Sequence, residues 1–248
     1  ITPHRQLVKV LPSQVLTFAL KLINMAFQNN FSVDEYYHLY NRGTDKRKIF
    51  LNSRDYHRFL FLLYLCNDDA AVDMQKVFRL VKTFPDVFLF ERGDQLVSIG
   101  AYCLMPNHFH LLVREIKENG ITIFMKKLLT AYSMYFNIKH KRTGGLFQGV
   151  FKSRFVDRDE YLKYLFSYIH LNPIKLIQPN WKENGINNLS VAKAFLQDYK
   201  YSSYLDYLDT SRPQKSILSQ GVFPEYFVIP NDFTDFIDEW LTFEPEEL

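Results

Sequence analysis

The stretch Tyr102-Cys-Leu-Met-Pro-Asn-His108-Phe-His110-Leu-Leu-Val113 decides how this chain reads. Pro106-Asn107 is a turn pair. The run after it is apolar and β-compatible, so His108 opens a strand. Side chains two apart on a strand share a face. Both imidazoles therefore look one way, while Phe109 looks into the opposite layer. Two neutral imidazoles converging on one point make half a site for a divalent cation. The same pattern also describes two half-buried histidines on a sheet surface, and the motif alone does not separate the two. Leu96 to Leu104, before the turn, has the character of another strand, and the pair predicts a tight antiparallel hairpin.

Working outward toward the N-terminus, Glu91-Arg-Gly-Asp94 reads as a turn and Phe84 to Phe90 as an apolar, β-compatible run. Val72 to Val81 reads as a helix. Asp55 to Leu65 carries Tyr56, Phe59, Leu60, Leu63 and Tyr64 at helical spacing, with Ser53 offered as its cap. Tyr36 to Gly43 is a strand that ends in Asn41-Arg42-Gly43. Pro12 to Asn29 has the apolar spacing of a helix packed outside the main domain. Toward the C-terminus, Ile121 to His140 is a long amphipathic helix. Leu146 to Val156 reads as a strand with Lys152 and Arg154 on one face. Asp157 to Asp159 can cap a helix over Glu160 to Leu171, which Asn172-Pro173 ends.

Over residues 35–175 the order is β, α, β, β, α, β, α. A hairpin inside an interleaved pattern points to an α+β fold with a largely antiparallel sheet. We read three regions: an N-terminal helical appendage at 1–33, a core domain at 34–175, and a helical and irregular tail at 176–248.

Composition narrows the classes. Of 248 residues 47% are hydrophobic, with 16 Tyr and 23 Phe, which excludes global disorder. The net charge of +3 is small, so local clusters matter more than the sum. Two cysteines with no CxxC fit a reducing compartment and exclude a zinc-thiolate site. The apolar stretch Val15 to Phe27 is too short to span a bilayer and is interrupted by Lys21 and Asn24. The expectation is a soluble cytoplasmic protein with no membrane partner, a monomer or homodimer.

Tyr168 and Asn172 are four apart on the last core helix, so they share a face. By spacing alone Tyr168 is one more packed aromatic beside Tyr161, Tyr164 and Leu165, and Asn172 a helix-ending residue. Four stretches together say more: Tyr37-His-Leu-Tyr-Asn-Arg-Gly43, Cys103-Leu-Met-Pro-Asn-His-Phe-His-Leu-Leu112, Gly145-Leu-Phe-Gln-Gly-Val-Phe-Lys-Ser-Arg154 and Tyr168-Ile-His-Leu-Asn-Pro173. In this order they closely resemble the REP-associated tyrosine transposases, single-tyrosine HUH endonucleases with an IS200-like fold. The resemblance covers about residues 36–175 and implies a ferredoxin- or RRM-like antiparallel sheet sandwiched by helices. It implies that His108, His110 and Asn172 hold Mg²⁺ or Mn²⁺ and that Tyr168 is the nucleophile. Relatives often carry Gln or another polar residue at the place of Asn172. Tyr132 is also helical and also follows the histidines, but Phe136 stands where the polar ligand should be.

The chemistry suits these residue types. A phosphodiester needs its charge screened and its oxygens oriented before an anionic nucleophile approaches. A phenol is a poor nucleophile at neutral pH without local activation. Attack would store the broken bond as a 5′-phosphotyrosine, which another 3′-hydroxyl can reverse without ATP. His170 lies on another face of the helix and is a poor general base. The implied partner is single-stranded or hairpin DNA at short hairpin-forming repeats. Phosphate-binding candidates are Arg42, Lys46, Arg47 and Lys48, then Lys139, Lys141 and Arg142, then Lys152 and Arg154. The first of these clusters reads equally well as a solvated loop. Two other readings are a hairpin-binding protein that no longer cuts and a metal-dependent phosphoesterase unrelated to DNA.

Overall fold

The computed structural model describes residues 31–242, apart from 209, 225, 228 and 229. The helix expected over 12–29 lies outside the described residues. The sheet is built from β1 (Tyr36–Arg42), β2 (Val97–Met105), β3 (His108–Glu115) and β4 (Lys152–Phe155). Its order is β2-β3-β1-β4 and every neighbouring pair is antiparallel. The helices are α1 (Ser53–Leu65), α2 (Met74–Leu80), α3 (Gly120–Lys139), α4 (Asp159–Leu171), α5 (Trp181–Asn184), α6 (Leu189–Asp198), α7 (Tyr204–Tyr207) and α8 (Pro230–Thr242). The fold class is α+β, with an antiparallel sheet between helices.

The hairpin forms as the sequence dictates. Met105 pairs with His108 across the two-residue turn Pro106-Asn107. The loop after β1 packs on that turn, with Gly43 and Ile49 donating backbone hydrogen bonds to Asn107 and Pro106. Pleating then sorts the strands into two faces. Tyr37, Leu39, Phe109, Leu111 and Val113 point to one side and join α1 and α3 in the larger core. Ala101, Cys103, Met105 and Leu112 point to the other and pack on Leu162, Leu165, Phe166 and Ile169 of α4.

Four local expectations need correction. Ser53 is the first residue of α1 and not its cap; Asn52 precedes the helix, and Asp55 Oδ2 accepts the Leu51 N–H at 2.8 Å. The expected helix over 72–81 is shorter, Met74–Leu80, because Asp73 caps it by accepting from Gln75 and Lys76. Phe84 to Phe90 is no strand: Pro85–Leu89 forms a 3₁₀ turn. Pro85 has no N–H for a ladder, and Asp86 Oδ2 instead accepts from Lys82 and Thr83. The last strand covers Lys152–Phe155 only. Before it, Phe147 makes only an isolated bridge to Gly43, and the chain then departs from regular pairing at Gly149, which has φ +70° and whose carbonyl accepts from Asn41.

The tail is joined to the sheet. Ser202 bridges Cys103, and the Tyr201 carbonyl accepts the Leu104 N–H at 2.9 Å. Ser203 Oγ accepts the Tyr102 N–H, also at 2.9 Å, and meets His170 Nε2 at 2.7 Å. Behind this strip lies a buried pair, Asp206 with Arg212 at 2.6 Å; Arg212 also donates to the Tyr102 hydroxyl and the Ser202 carbonyl. Leu171 and Ile174 at the end of α4 are buried among Ala192, Leu196, Phe233, Ile237 and Leu241 of the tail helices.

Candidate active site

The histidine face is set by register. Directly opposed residues of antiparallel strands lie on the same side. Arg42 stands opposite His108, Tyr40 opposite His110, and His38 opposite Leu112. Across the other edge Arg154 opposes His38 and Lys152 opposes Tyr40. One side of the sheet therefore gathers His38, Tyr40, Arg42, His108, His110, Lys152 and Arg154.

Each imidazole of the His-x-His pair has one nitrogen engaged. His108 Nδ1 meets Asn107 Oδ1 at 2.6 Å. His110 Nδ1 meets His38 Nε2 at 2.9 Å. Both are left with Nε2 for another partner, and their ring centroids are 5.0 Å apart. Burial holds His38 and His108 down to about 4, with Arg154 and Lys175 respectively as the next causes. His110 is lowered too, first by burial and then by His38 and His108. All three are neutral at pH 7, the form that ligates metals.

Helix α4 brings Tyr168 over this face. Its ring is 5.3 Å from that of His110 at 82°, and 6.0 Å from that of His38. Tyr168 is half-buried, not sealed in the core. Burial pushes its phenol above the usual value, and the neighbouring Asn172 amide offsets part of that. Asn172 is fully buried, and its Nδ2 donates to the Tyr168 carbonyl at 2.8 Å. Its Oδ1 is left buried without a hydrogen-bond partner. A buried amide oxygen with no partner is costly unless something absent from the chain completes it.

These residues fit a hard divalent cation. Two free imidazole nitrogens and one orphaned amide oxygen make a partial donor set that leaves room for phosphate oxygens. Among the described residues no group of three or more His, Cys, Asp or Glu could hold a metal ion. Asn172 is thus the donor that a search limited to those types leaves out. The set is uncharged, so it would hold a cation weakly until a phosphate joined it.

The basic candidates separate. Arg42, Lys152 and Arg154 are exposed on the histidine side; the Arg154 guanidinium lies 4.4 Å from the Tyr161 ring centroid. Lys46 and Lys48 are exposed on the loop packed against the hairpin turn, and Lys46 accepts from Asn107 through its carbonyl. Arg47 turns back to Asp45 and the Thr44 carbonyl. Lys139 does not belong with the histidines: it pairs with buried Asp55 at 2.6 Å, on the side of the sheet covered by α1 and α3. Arg142 is used by its own loop, bonding Asn137 and the Gly145 carbonyl, while Lys141 is exposed beside it. Tyr132, the other helical tyrosine, is fully buried and donates to the Ile49 carbonyl at 2.5 Å. His170 is buried against Ser203, away from any reacting group.

Three contributors escaped the sequence reading. His38 carries no spacing signal, since its facing is known only once β1 is placed beside β3. Lys175 acts on His108 and His110 from just beyond α4. Lys182 sits 3.9 Å from the centroid of the Tyr168 ring, and burial, then Lys175, lowers it to about 8.

No curated protein sequence matches the chain. One solved structure, a REP-associated tyrosine transposase bound to a REP hairpin, overlaps loosely: TM-score 0.42 at 12% identity, covering 79% of this chain and 87% of that one. The family model described as "Transposase IS200 like" matches residues 85–172. Over that stretch, which holds His108, His110, Tyr168 and Asn172, the chain resembles the IS200-like transposases.

Proposed function

We propose that this chain is a transposase that cuts and rejoins single-stranded DNA through a covalent bond to Tyr168. One observation carries the reading. A half-buried phenol from α4 stands against His110, next to an amide oxygen with no partner, on a face whose surrounding charges are cations. A core aromatic would have none of these neighbours.

The residues divide the work. Arg42, Lys152, Arg154 and Lys175 bind backbone phosphates and set the strand's path. His108 Nε2, His110 Nε2 and Asn172 Oδ1 would hold Mg²⁺ or Mn²⁺, which supplies charge neutralisation and orientation of the phosphate oxygens. His38 and Asn107 fix the two imidazoles so that Nε2 faces the substrate. The Tyr168 oxygen forms a bond to phosphorus as the bond to the 3′ oxygen breaks. The phenol gives up its proton, the departing 3′ oxygen takes one, and the 5′-phosphate stays on Tyr168. The Lys182 ammonium over the ring favours the phenolate that this step needs. Attack by another 3′-hydroxyl reverses the step and restores the phenol. The family resemblance directs the activity to hairpin-forming repeats.

The test is covalent trapping. The protein is mixed with a 3′-labelled pool of single-stranded hairpin oligonucleotides of random flanking sequence, with Mn²⁺ or with chelator, and run on a denaturing gel. A labelled protein band that needs Mn²⁺ is expected. Free cleaved strands with no protein-linked label would replace this reading with a phosphoesterase; hairpin binding with no cleavage would leave a binding protein.

A further inference from the structure

Next to the nucleophile lies a cavity of about 170 Å³ between α4, the α5 segment and α8. Tyr164, Tyr168, Trp181, Lys182 and Trp240 form its aromatic and basic walls. None of its lining residues is acidic. Tyr164 is stacked on Tyr168 at 5.8 Å and meets the Trp240 ring at 5.5 Å, so these rings form one continuous wall. The Trp181 Nε1–H is buried and has no hydrogen-bond partner.

We propose that this cavity is a subsite for one unpaired nucleobase, that of the nucleotide next to the phosphate attacked by Tyr168. The chemistry selects that ligand. Flat aromatic walls take a flat π-face and accept any base. Lys182, with Lys175 close enough to lower it, gives a basic rim suited to the attached phosphate. The wall shared with Tyr168 places the base one nucleotide from the bond that breaks. An aliphatic ligand or an acidic peptide would leave the aromatic wall without a ring to stack on it. Seating a base here pulls the strand across the sheet, so the site prefers a strand that is unpaired at the cut. The proposal rests on the DNA-cleaving reading above and deepens it.

The chain contains two tryptophans, and both line this cavity. Intrinsic tryptophan fluorescence therefore reports on it with no engineered probe. Metal-free wild-type protein is titrated with fluorescein-labelled oligo(dT), and with an abasic oligonucleotide of equal length. Anisotropy reads binding and tryptophan emission reads the cavity. Oligo(dT) is expected to bind and quench; the abasic strand is expected to bind more weakly and leave emission unchanged. Trp181→Phe should remove part of the quench, and Trp181→Ala should weaken oligo(dT) binding roughly ten-fold while leaving abasic binding as it was. Binding by anisotropy with unchanged emission, or equal quenching by the abasic strand, overturns the subsite and leaves the cleavage reading standing. Failure of both strands to bind overturns both. The wild-type titration decides the matter even if the alanine variant does not fold.

Discussion

The two sides of the sheet each receive a tyrosine from a helix, and the two tyrosines have opposite fates. Tyr132 on α3 enters a layer of Phe59, Phe109 and Phe136, where its hydroxyl is consumed by the Ile49 carbonyl. Burial lifts its pKa far out of reach of chemistry. Tyr168 on α4 meets histidines, an unsatisfied amide oxygen and a lysine, and stays half-exposed. Identical side chains on similar helices thus become a packing group and a reactive one, because strand pleating sends Phe109 one way and His108 and His110 the other.

The sharpest way to break this contrast is to remove each hydroxyl. Tyr168→Phe should cut covalent DNA capture by at least about a thousand-fold, as loss of a nucleophile does, and change stability by less than about 0.5 kcal/mol. Tyr132→Phe should do the reverse. It keeps capture and costs about 1–3 kcal/mol in denaturant unfolding, because the buried Ile49 carbonyl loses its donor. Adduct formation by the Tyr168 variant would end the assignment.

His38 comes next. His38→Ala leaves His110 free to turn, and Mn²⁺ affinity measured by electron paramagnetic resonance with DNA present should fall roughly ten- to hundred-fold. An unchanged affinity would reduce His38 to a packing residue.

A smaller effect separates two basic residues. Arg154→Ala should weaken single-strand binding and lower the salt slope by about 1. Lys139→Ala should leave the slope alone and destabilise the fold, since it abandons the buried Asp55 carboxylate.

The smallest effect is in pH. Burial alone would raise Asp55, but hydrogen bonds from Lys139, Leu51 N–H and Tyr135 outweigh it and hold the carboxyl below its usual range. Its contribution is present above about pH 4 and is lost as pH falls through the lower folded value. Lys182 works at the other end. Its folded value of about 8 lies below the ordinary 10.5, so the unfolded chain binds the extra proton between them. Stability should therefore rise with pH across that window. Denaturation of Lys182→Met, which should flatten the alkaline rise and leave the acid limb, checks the assignment.

The sequence reveals the residues that pattern controls. A turn pair, alternation and helical spacing gave β2, β3, α3 and α4, and four stretches in order singled out Tyr168 and Asn172. It hid what depends on strand order. His38 sits 70 residues from His108, and nothing local says that β1 lies beside β3. The basic residues look alike in sequence, yet Asp55 claims Lys139 and the loop claims Arg142. Phe84 to Phe90 misleads because apolar content suits a strand, while Pro85 and the Asp86 carboxylate, which accepts from Lys82 and Thr83, decide for a 3₁₀ turn.

The strip Tyr201–Ser203 lies along the free edge of β2 and takes up its Leu104 and Tyr102 hydrogen bonds. An uncovered edge is a template for pairing with other chains. Ending the protein after the last motif, at about residue 175, would expose that edge and strip Leu171 and Ile174 of their cover. Such a fragment would retain His108, His110, Tyr168 and Asn172 and still be expected to self-associate, which would make the region after the motifs a guard against aggregation as well as the source of Lys182.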